Sequence, residues 1–328
     1  MRRRAFIAAT FGTIAGTGVA ASAGGQGREQ LHTGTALAFG TTVTVSVVHD
    51  DSREAELAIG DALAEVRKVD TLMSVQRESS QVFQLNRDGF LDRPDPHLLA
   101  VLAHARQLSR LTRGAFDITV QPLWRSFQQA AQGGFLPPPD MKQQAMECVG
   151  WNRINTSAGQ VSFGMPGMAI TLNGLAQGYA ADLALAALRA HGIRHALLDT
   201  GEFIGEGRRN SLRPWILGVP DPREQGRMAA TLPVEGRSVA TSGDYQSTFT
   251  PDFVHHHILD PATGDSPQEL ASVTVLAPTG IGADGLSTAF MVVGARKAHA
   301  LAARLPGVDL MTINKRGIAW KSPRFPSV

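Results

Sequence analysis

Segments with a two-residue period and segments with a helical period follow one another irregularly from Thr41 to Ile313, and no linker separates them. Thr41 to Val48 is β-branched and alternates as a strand does. Ser52 is placed to cap a helix on which Leu57, Ala58, Leu63, Val66 and Val69 recur near helical spacing. A second helix is predicted from Pro96 to Leu111, closed by Gly114, and residues 131–140 read as a Gly/Pro-rich surface loop. Residues 161–172 read as strand and turn. Gly174 to His191 reads as a helix, with Asn173 as its cap, Gly192 as its stop and a stripe of Leu175, Tyr179, Leu183 and Ala187. Strands are predicted at 195–199, 215–219, 229–234, 237–241, 272–277 and 308–313, and helices at 282–293 and 295–305. Strands and helices interleaved without strict alternation predict a single compact α+β (mixed α/β) domain over residues 35–328, with mixed or antiparallel sheets packed against helices.

With 328 residues, 43% hydrophobic and 18% charged, the chain is suited to a large folded core. The formal charge of +2 is misleading, because residues 1–23 carry Arg2, Arg3 and Arg4 and no acid. Without those three arginines the acids outnumber the bases by one, so a nucleic-acid surface is not expected. Arg3-Arg4-Ala5-Phe6-Ile7, a weakly apolar stretch and Ala21-Ser22-Ala23 before Gly24 read as a twin-arginine export signal cleaved near Ala23. That predicts a periplasmic protein, with residues 24–34 as a short flexible start.

Several common chemistries have no sequence signature here. There is no Walker A loop, no H-E-x-x-H and no G-x-S-x-G, and Gly201, Gly205 and Gly207 have the wrong spacing for a dinucleotide fingerprint. Cys148 is the only cysteine, which excludes an intrachain disulfide and any Cys₂ metal site; it reads as a buried spectator thiol. On a strand, at most His255 and His257 of the His255-His256-His257 run share a face, too few ligands for a transition metal.

Four segments combine small residues with polar groups at turns: residues 114–120 (GAFDITV), 171–179 (TLNGLAQGY), 257–264 (HILDPATG) and 283–288 (ADGLST). In the last, Asp284 and Thr288 share one helix face and offer hard oxygen ligands of the kind Mg²⁺ takes; the same spacing also fits a helix-start acid beside a solvated threonine. Around Gly174 and Gly178, a strand-to-helix turn suits either a phosphate at a helix N-terminus or close helix packing.

Together with Thr241-Ser242-Gly243-Asp244-Tyr245, these segments resemble the FAD:protein FMN transferase family, the ApbE-type flavin transferases. The leader and Asp199-Thr200-Gly201-Glu202 are most similar to the branch associated with nitrous oxide respiration, often called NosX. The resemblance implies Mg²⁺-dependent transfer of FMN from FAD, the substrate, to a Thr or Ser hydroxyl of a periplasmic or membrane-bound flavoprotein, with release of AMP. Carried over by position, Asp284, Thr288, Ser287 and the Gly174 carbonyl would hold Mg²⁺. Phe39, Gln76, Ala115, Phe116, Asp117, Thr171, Gln177 and Ile258 occupy FAD-contact positions. His257 is the candidate general base, or else a strand residue bonded to Asp260 or FAD.

The chain departs from the family pattern at Phe39 (usually Met), Gln76 (usually aromatic), Thr171 (usually acidic), Gln177 (usually Lys), Ile118 (usually Pro) and Ala262 (often Arg). Loss of a stacking ring would cost roughly 1 kcal/mol of flavin binding. Two other activities fit such departures: a non-catalytic FAD-binding or delivery protein, and an Mg²⁺-dependent FAD hydrolase giving FMN and AMP.

Overall fold

The computed structural model describes residues 29–210 and 212–326. The export signal and residues 24–28 lie outside the described residues. In chain order, β1 (Gln30–Ala38) and β2 (Thr41–His49) form a hairpin, followed by α1 (Ser52–Met73), α2 (Gln81–Asp88), β3 (Phe90–Asp92), α3 (Pro96–Leu111), α4 (Gln121–Gln132) and α5 (Pro139–Glu147). Short β4 (Ile154–Thr156) and β5 (Gln160–Phe163) precede α6 (Ala176–Ala190). Next come β6 (Ala196–Asp199), β7 (Phe203–Glu206), β8 (Arg208–Asn210), β9 (Arg213–Pro220), β10 (Met228–Val234) and β11 (Arg237–Gly243). The chain closes with β12 (Leu270–Ala277), α7 (Gly280–Val293), α8 (Ala295–Ala302), β13 (Asp309–Asn314) and β14 (Ala319–Lys321).

Eight strands form one sheet in the order β1-β2-β6-β7-β11-β12-β13-β14, and every neighbouring pair is antiparallel. One face packs on α1, α6 and α7 through Val43, Val45, Ala196, Leu198, Val273 and Val275. The other face packs on the small sheet β10-β9-β8 through Phe203, Val239, Leu276, Leu217 and Leu232. Strand β12 is covered on both faces, and all eight of its residues are buried, which is why it reads as a nearly continuous apolar run.

Helix α6 shows how the site is approached. Its core face is built from Ala176, Gly178, Ala180, Ala181, Ala184 and Leu188, whereas Tyr179, Leu183 and Ala187 of the expected stripe form its half-buried flank. The small residues let α6 lie against α7. A Cβ on Gly178 would come within 2.2 Å of the Gly280 carbonyl oxygen, and one on Gly280 within 2.2 Å of the Gly178 oxygen. The Gly178 position therefore serves close helix packing rather than ligand approach.

Several local expectations are corrected. Asp51, not Ser52, caps α1: its carboxylate accepts the Arg53 and Glu54 N–H groups at 2.8 and 3.1 Å. Asn173 does not cap α6, which begins at Ala176 after Leu175 and has no side-chain cap. Residues 30–34 belong to the edge strand β1, held by its full register with β2, rather than to a flexible start. Helix α3 spans Pro96–Leu111 as expected, but Thr112 rather than Gly114 is its C-cap. The loop expected at 131–140 shrinks to the few residues between α4 and α5. Cys148 is partly buried rather than fully so.

Candidate functional site

Asp284, Ser287 and Thr288 lie in the first three turns of α7, where a helical spacing of three and four puts them on one face. Asp284 is 4% exposed, and its Oδ2 accepts the Gly178 backbone N–H of α6 at 3.1 Å. Ser287 Oγ donates to the Asp284 carbonyl at 2.8 Å and lies 2.7 Å from Ser242 Oγ on β11. Ser242 Oγ is also 3.2 Å from Thr288 Oγ1. Gly174 faces the same hydroxyl: a Cβ there would meet Thr288 Oγ1 at 2.9 Å. The four residues predicted to hold a metal thus converge from two elements, with Ser242 joining them from a third.

Glu202, in the turn between β6 and β7, adds a second acid that sequence reasoning did not single out. Burial and the neighbouring Asp284 carboxylate push its carboxyl well above the usual range. Asp199, in the same turn, is pushed up to about 6 by burial, against the pull of a Gly201 N–H hydrogen bond. The Asp284 carboxylate and the Ser242, Ser287 and Thr288 hydroxyls, beside Gly174, form an all-oxygen set. That set fits a hard divalent cation such as Mg²⁺.

The N-termini of α6 and α7 do not stand open to an anion in the same way. The first N–H groups of α7 are taken by Asp182, whose oxygens accept from Gly280 and Ile281 at 2.6 and 2.9 Å, and by Thr279 Oγ1. At α6, Asp284 takes the Gly178 N–H.

The expected flavin positions fall into distinct groups. Phe39 sits at the tip of the β1–β2 hairpin with φ of 53°, followed by Gly40 at 72°, and its N–H donates to Asp70 at 2.9 Å. Asp70 also binds Arg77 at 3.0 Å, so Phe39 and the exposed Gln76 lie at the same end of α1. Residues 115–118 and 171–174 are tied together by the Thr171 N–H donating to the Ile118 carbonyl at 2.8 Å. This brings Ala115, Phe116, Asp117 and Thr171 to the approach to Gly174. The Phe116 ring is in the core, as is Ile258, each 5% exposed.

Two of these side chains are committed to the protein itself. Asp117 Oδ1 accepts the Thr119 N–H and hydroxyl at 2.8 and 2.6 Å, and Oδ2 accepts the Trp151 N–H at 2.9 Å. Burial raises its carboxyl and these bonds oppose the rise. Gln177 Nε2 donates to the Thr200 carbonyl at 2.6 Å, and Thr200 Oγ1 returns a bond to the Gln177 carbonyl at 3.0 Å. Where the family pattern has a lysine, this chain has a clasp on the Thr200–Glu202 turn.

The three consecutive histidines have three different surroundings. His255 Nδ1 lies 2.7 Å from Asp265, and its ring stacks near Phe127 with centroids 6.0 Å apart. His256 is fully buried; burial pushes its pKa down to about 3, and Nε2 donates to the Pro267 carbonyl at 3.3 Å. His257 Nδ1 lies 3.1 Å from the Ser247 carbonyl. A carbonyl only accepts, so Nδ1 carries the proton and the lone pair of the neutral ring is at Nε2. Ser247 is five residues beyond Ser242 in the sequence.

Residues 39–312 match the model of the ApbE family. A FAD:protein FMN transferase of Treponema pallidum is 31% identical, with 89% of this chain and 87% of that protein covered. One from Klebsiella pneumoniae is 29% identical over 88% and 86%. Among solved structures, the ApbE protein of Thermotoga maritima superposes with a TM-score of 0.79 at 27% identity, covering 90% of this chain and 97% of that one. The apo flavinyl transferase ApbE of Pseudomonas stutzeri gives 0.76 at 28%, covering 90% and 96%. The chain belongs to the ApbE family.

Proposed function

We propose that the protein is an FAD:protein FMN transferase that moves FMN from FAD to a hydroxyl of a partner flavoprotein. The observation that carries this reading is the convergence of Asp284, Ser287, Thr288 and Gly174 in a chain of this family. In the reaction, the oxygen of an acceptor Thr or Ser bonds to the FMN phosphorus. The bond from that phosphorus to the bridging oxygen breaks, and AMP leaves with the bridging oxygen.

We assign a divalent cation, Mg²⁺, to Asp284, Thr288, Ser287 and the Gly174 carbonyl. When bound it supplies charge neutralisation at the pyrophosphate oxygens. Ser242 orients the Ser287 and Thr288 hydroxyls from the opposite side. His257 is assigned as the base: Ser247 fixes its tautomer, and Nε2 takes the proton of the attacking hydroxyl. Ala115, the 116–118 backbone, Thr171 and Ile258 are assigned to the flavin wall, with Phe39 and Gln76 at its outer end. Gln177 is removed from the direct contacts by its clasp on Thr200.

The twin-arginine leader supports export, and with it a periplasmic or membrane-bound acceptor; resemblance to the nitrous oxide respiration branch points to a flavoprotein of that system. The base assignment is tested with His257→Ala. The variant is expected to bind FAD as the native protein does and to lose transfer by about 10²-fold or more. Unchanged transfer would remove His257 from the role.

A further inference from the structure

Residues 247–257 form a short antiparallel arm with His257 at its foot. The His257 N–H donates to the Ser247 carbonyl at 2.9 Å, Thr248 bridges His256, and the Phe249 N–H donates to the His255 carbonyl at 2.8 Å. The same Ser247 carbonyl accepts from His257 Nδ1 at 3.1 Å, so the arm itself orients the imidazole and carries it along when it moves. Phe253 stands at the tip with φ of 60°, in the left-handed region that residues other than glycine rarely adopt. Such a conformation persists where its surroundings hold it.

Two cations hold that tip. Arg223, in the turn between β9 and β10, has its guanidinium carbon 4.9 Å from the centroid of the Phe253 ring. Lys315, in the turn between β13 and β14, donates from Nζ to the Phe253 carbonyl at 2.6 Å. Both are fixed by one acid, Asp244, the residue after β11. Its buried carboxylate accepts from Arg223 Nη1 and Nη2 at 2.8 and 2.7 Å and lies 3.5 Å from Lys315 Nζ. A bidentate guanidinium bond of this kind fixes direction as well as distance. The Asp244 N–H donates to the Ala271 carbonyl of β12 at 2.9 Å, which ties the acid to the eight-stranded sheet. Asp244 is also three residues before Ser247. It therefore holds the arm at both ends, at the foot through the chain and at the tip through Arg223 and Lys315.

We propose that Asp244, Arg223 and Lys315 are positioning residues for His257: by pinning the tip of the 247–257 arm they set where its imidazole stands. The inference rests on the reading of His257 as the base, given above. A base has to lie within hydrogen-bond reach of the hydroxyl it serves, and a misplacement of about 1 Å costs on the order of 10²-fold in rate.

The test is a double-mutant cycle between Arg223 and His257, read as the rate of FMN transfer at saturating FAD to an acceptor domain bearing a modifiable Thr. Arg223→Met keeps an apolar contact with Phe253 and removes the bonds to Asp244. It is expected to slow transfer about tenfold with the KM for FAD unchanged, and to slow it no further in a His257→Ala background. If Arg223→Met does not fold, Arg223→Lys, which keeps the charge beside Asp244 and loses the paired bonds, carries the same cycle. In parallel, the imidazole NMR signals of His257, identified by their loss in His257→Ala, are expected to shift in the Arg223 variant. A native rate in the Arg223 variant, an equal slowing with and without His257, or unshifted His257 signals would each overturn the inference and leave the base reading intact. If His257→Ala itself transfers at the native rate, the base reading falls and the inference with it.

Discussion

Asp284 Oδ2 accepts the Gly178 backbone N–H at 3.1 Å, so the acid at the centre of the proposed cation site also holds the N-terminus of α6. Substitution therefore has two separable effects. Asp284→Asn keeps an acceptor oxygen and removes a charge that repels Glu202. In EDTA it is expected to be at least as stable as the native protein. Asp284→Ala leaves the buried Gly178 N–H without a partner and is expected to be less stable than the asparagine variant by about 1–3 kcal/mol. Both should lose transfer activity by about 10²-fold or more. Chemical denaturation in EDTA, beside an activity assay, checks both; an alanine variant as stable as the asparagine one would contradict the capping role.

Asp117 gives a second prediction. Its three hydrogen bonds stitch the 117–120 turn to Trp151, and Thr119 Oγ1 in turn accepts the Gly150 N–H at 2.7 Å. Asp117→Ala orphans the buried Thr119 N–H and hydroxyl and the half-buried Trp151 N–H, and is expected to cost about 2–4 kcal/mol. The loss should be present in the FAD-free protein. Destabilisation seen only with FAD present would mean that Asp117 acts through the flavin instead.

His191 links α6 to α1: Nδ1 lies 2.8 Å from Glu54 and Nε2 2.8 Å from Asp61. The hydrogen bonds to Glu54 and then Asp61 raise its pKa. A raised folded pKa contributes stability below the unfolded value of about 6.5 and loses it as pH rises through the folded value. The melting-point gap between the native protein and His191→Gln is expected to be wider at about pH 6 than in alkaline solution, closing as pH rises through the raised folded value. A gap that widens with rising pH would contradict the pairing.

The legible parts of the fold are those whose local pattern matches their burial. Helix α3 is bounded as expected because Asp95 caps it and Pro96 starts it. Strands β9 to β12 alternate or run apolar according to which faces are covered. The first residues of β1 escaped because an edge strand exposes most of its side chains and carries little apolar pattern. The short α2, α4 and α5 were not anticipated, and α5 opens inside the Pro-rich stretch that read as loop.

The site divides in the same way. The spacing of Asp284 and Thr288 on one helix is visible in sequence, because it depends on helical geometry alone. That Gly178 packs on Gly280 rather than on a ligand depends on how α6 meets α7, about a hundred residues apart in sequence, and no local pattern carries it. Glu202 stands in the sequence only as the last residue of the Asp199–Glu202 segment; it gains meaning when β7 is laid between β6 and β11 and the Thr241 N–H donates to it. In sequence Gln177 reads as a flavin contact without the usual charge; its bond to Thr200 is a long-range fact of the fold.

The measurement closest to the central claim is the intact mass of an acceptor domain bearing a modifiable Thr or Ser, after incubation with the protein, FAD and Mg²⁺. The account predicts a gain of one FMN on that hydroxyl, equimolar release of AMP, and no gain when Mg²⁺ is replaced by EDTA or Asp284 by Asn. Release of FMN and AMP in solution with the acceptor unmodified would instead indicate a hydrolase. FAD held intact with no turnover across a panel of such acceptors would contradict the transferase and indicate a flavin carrier.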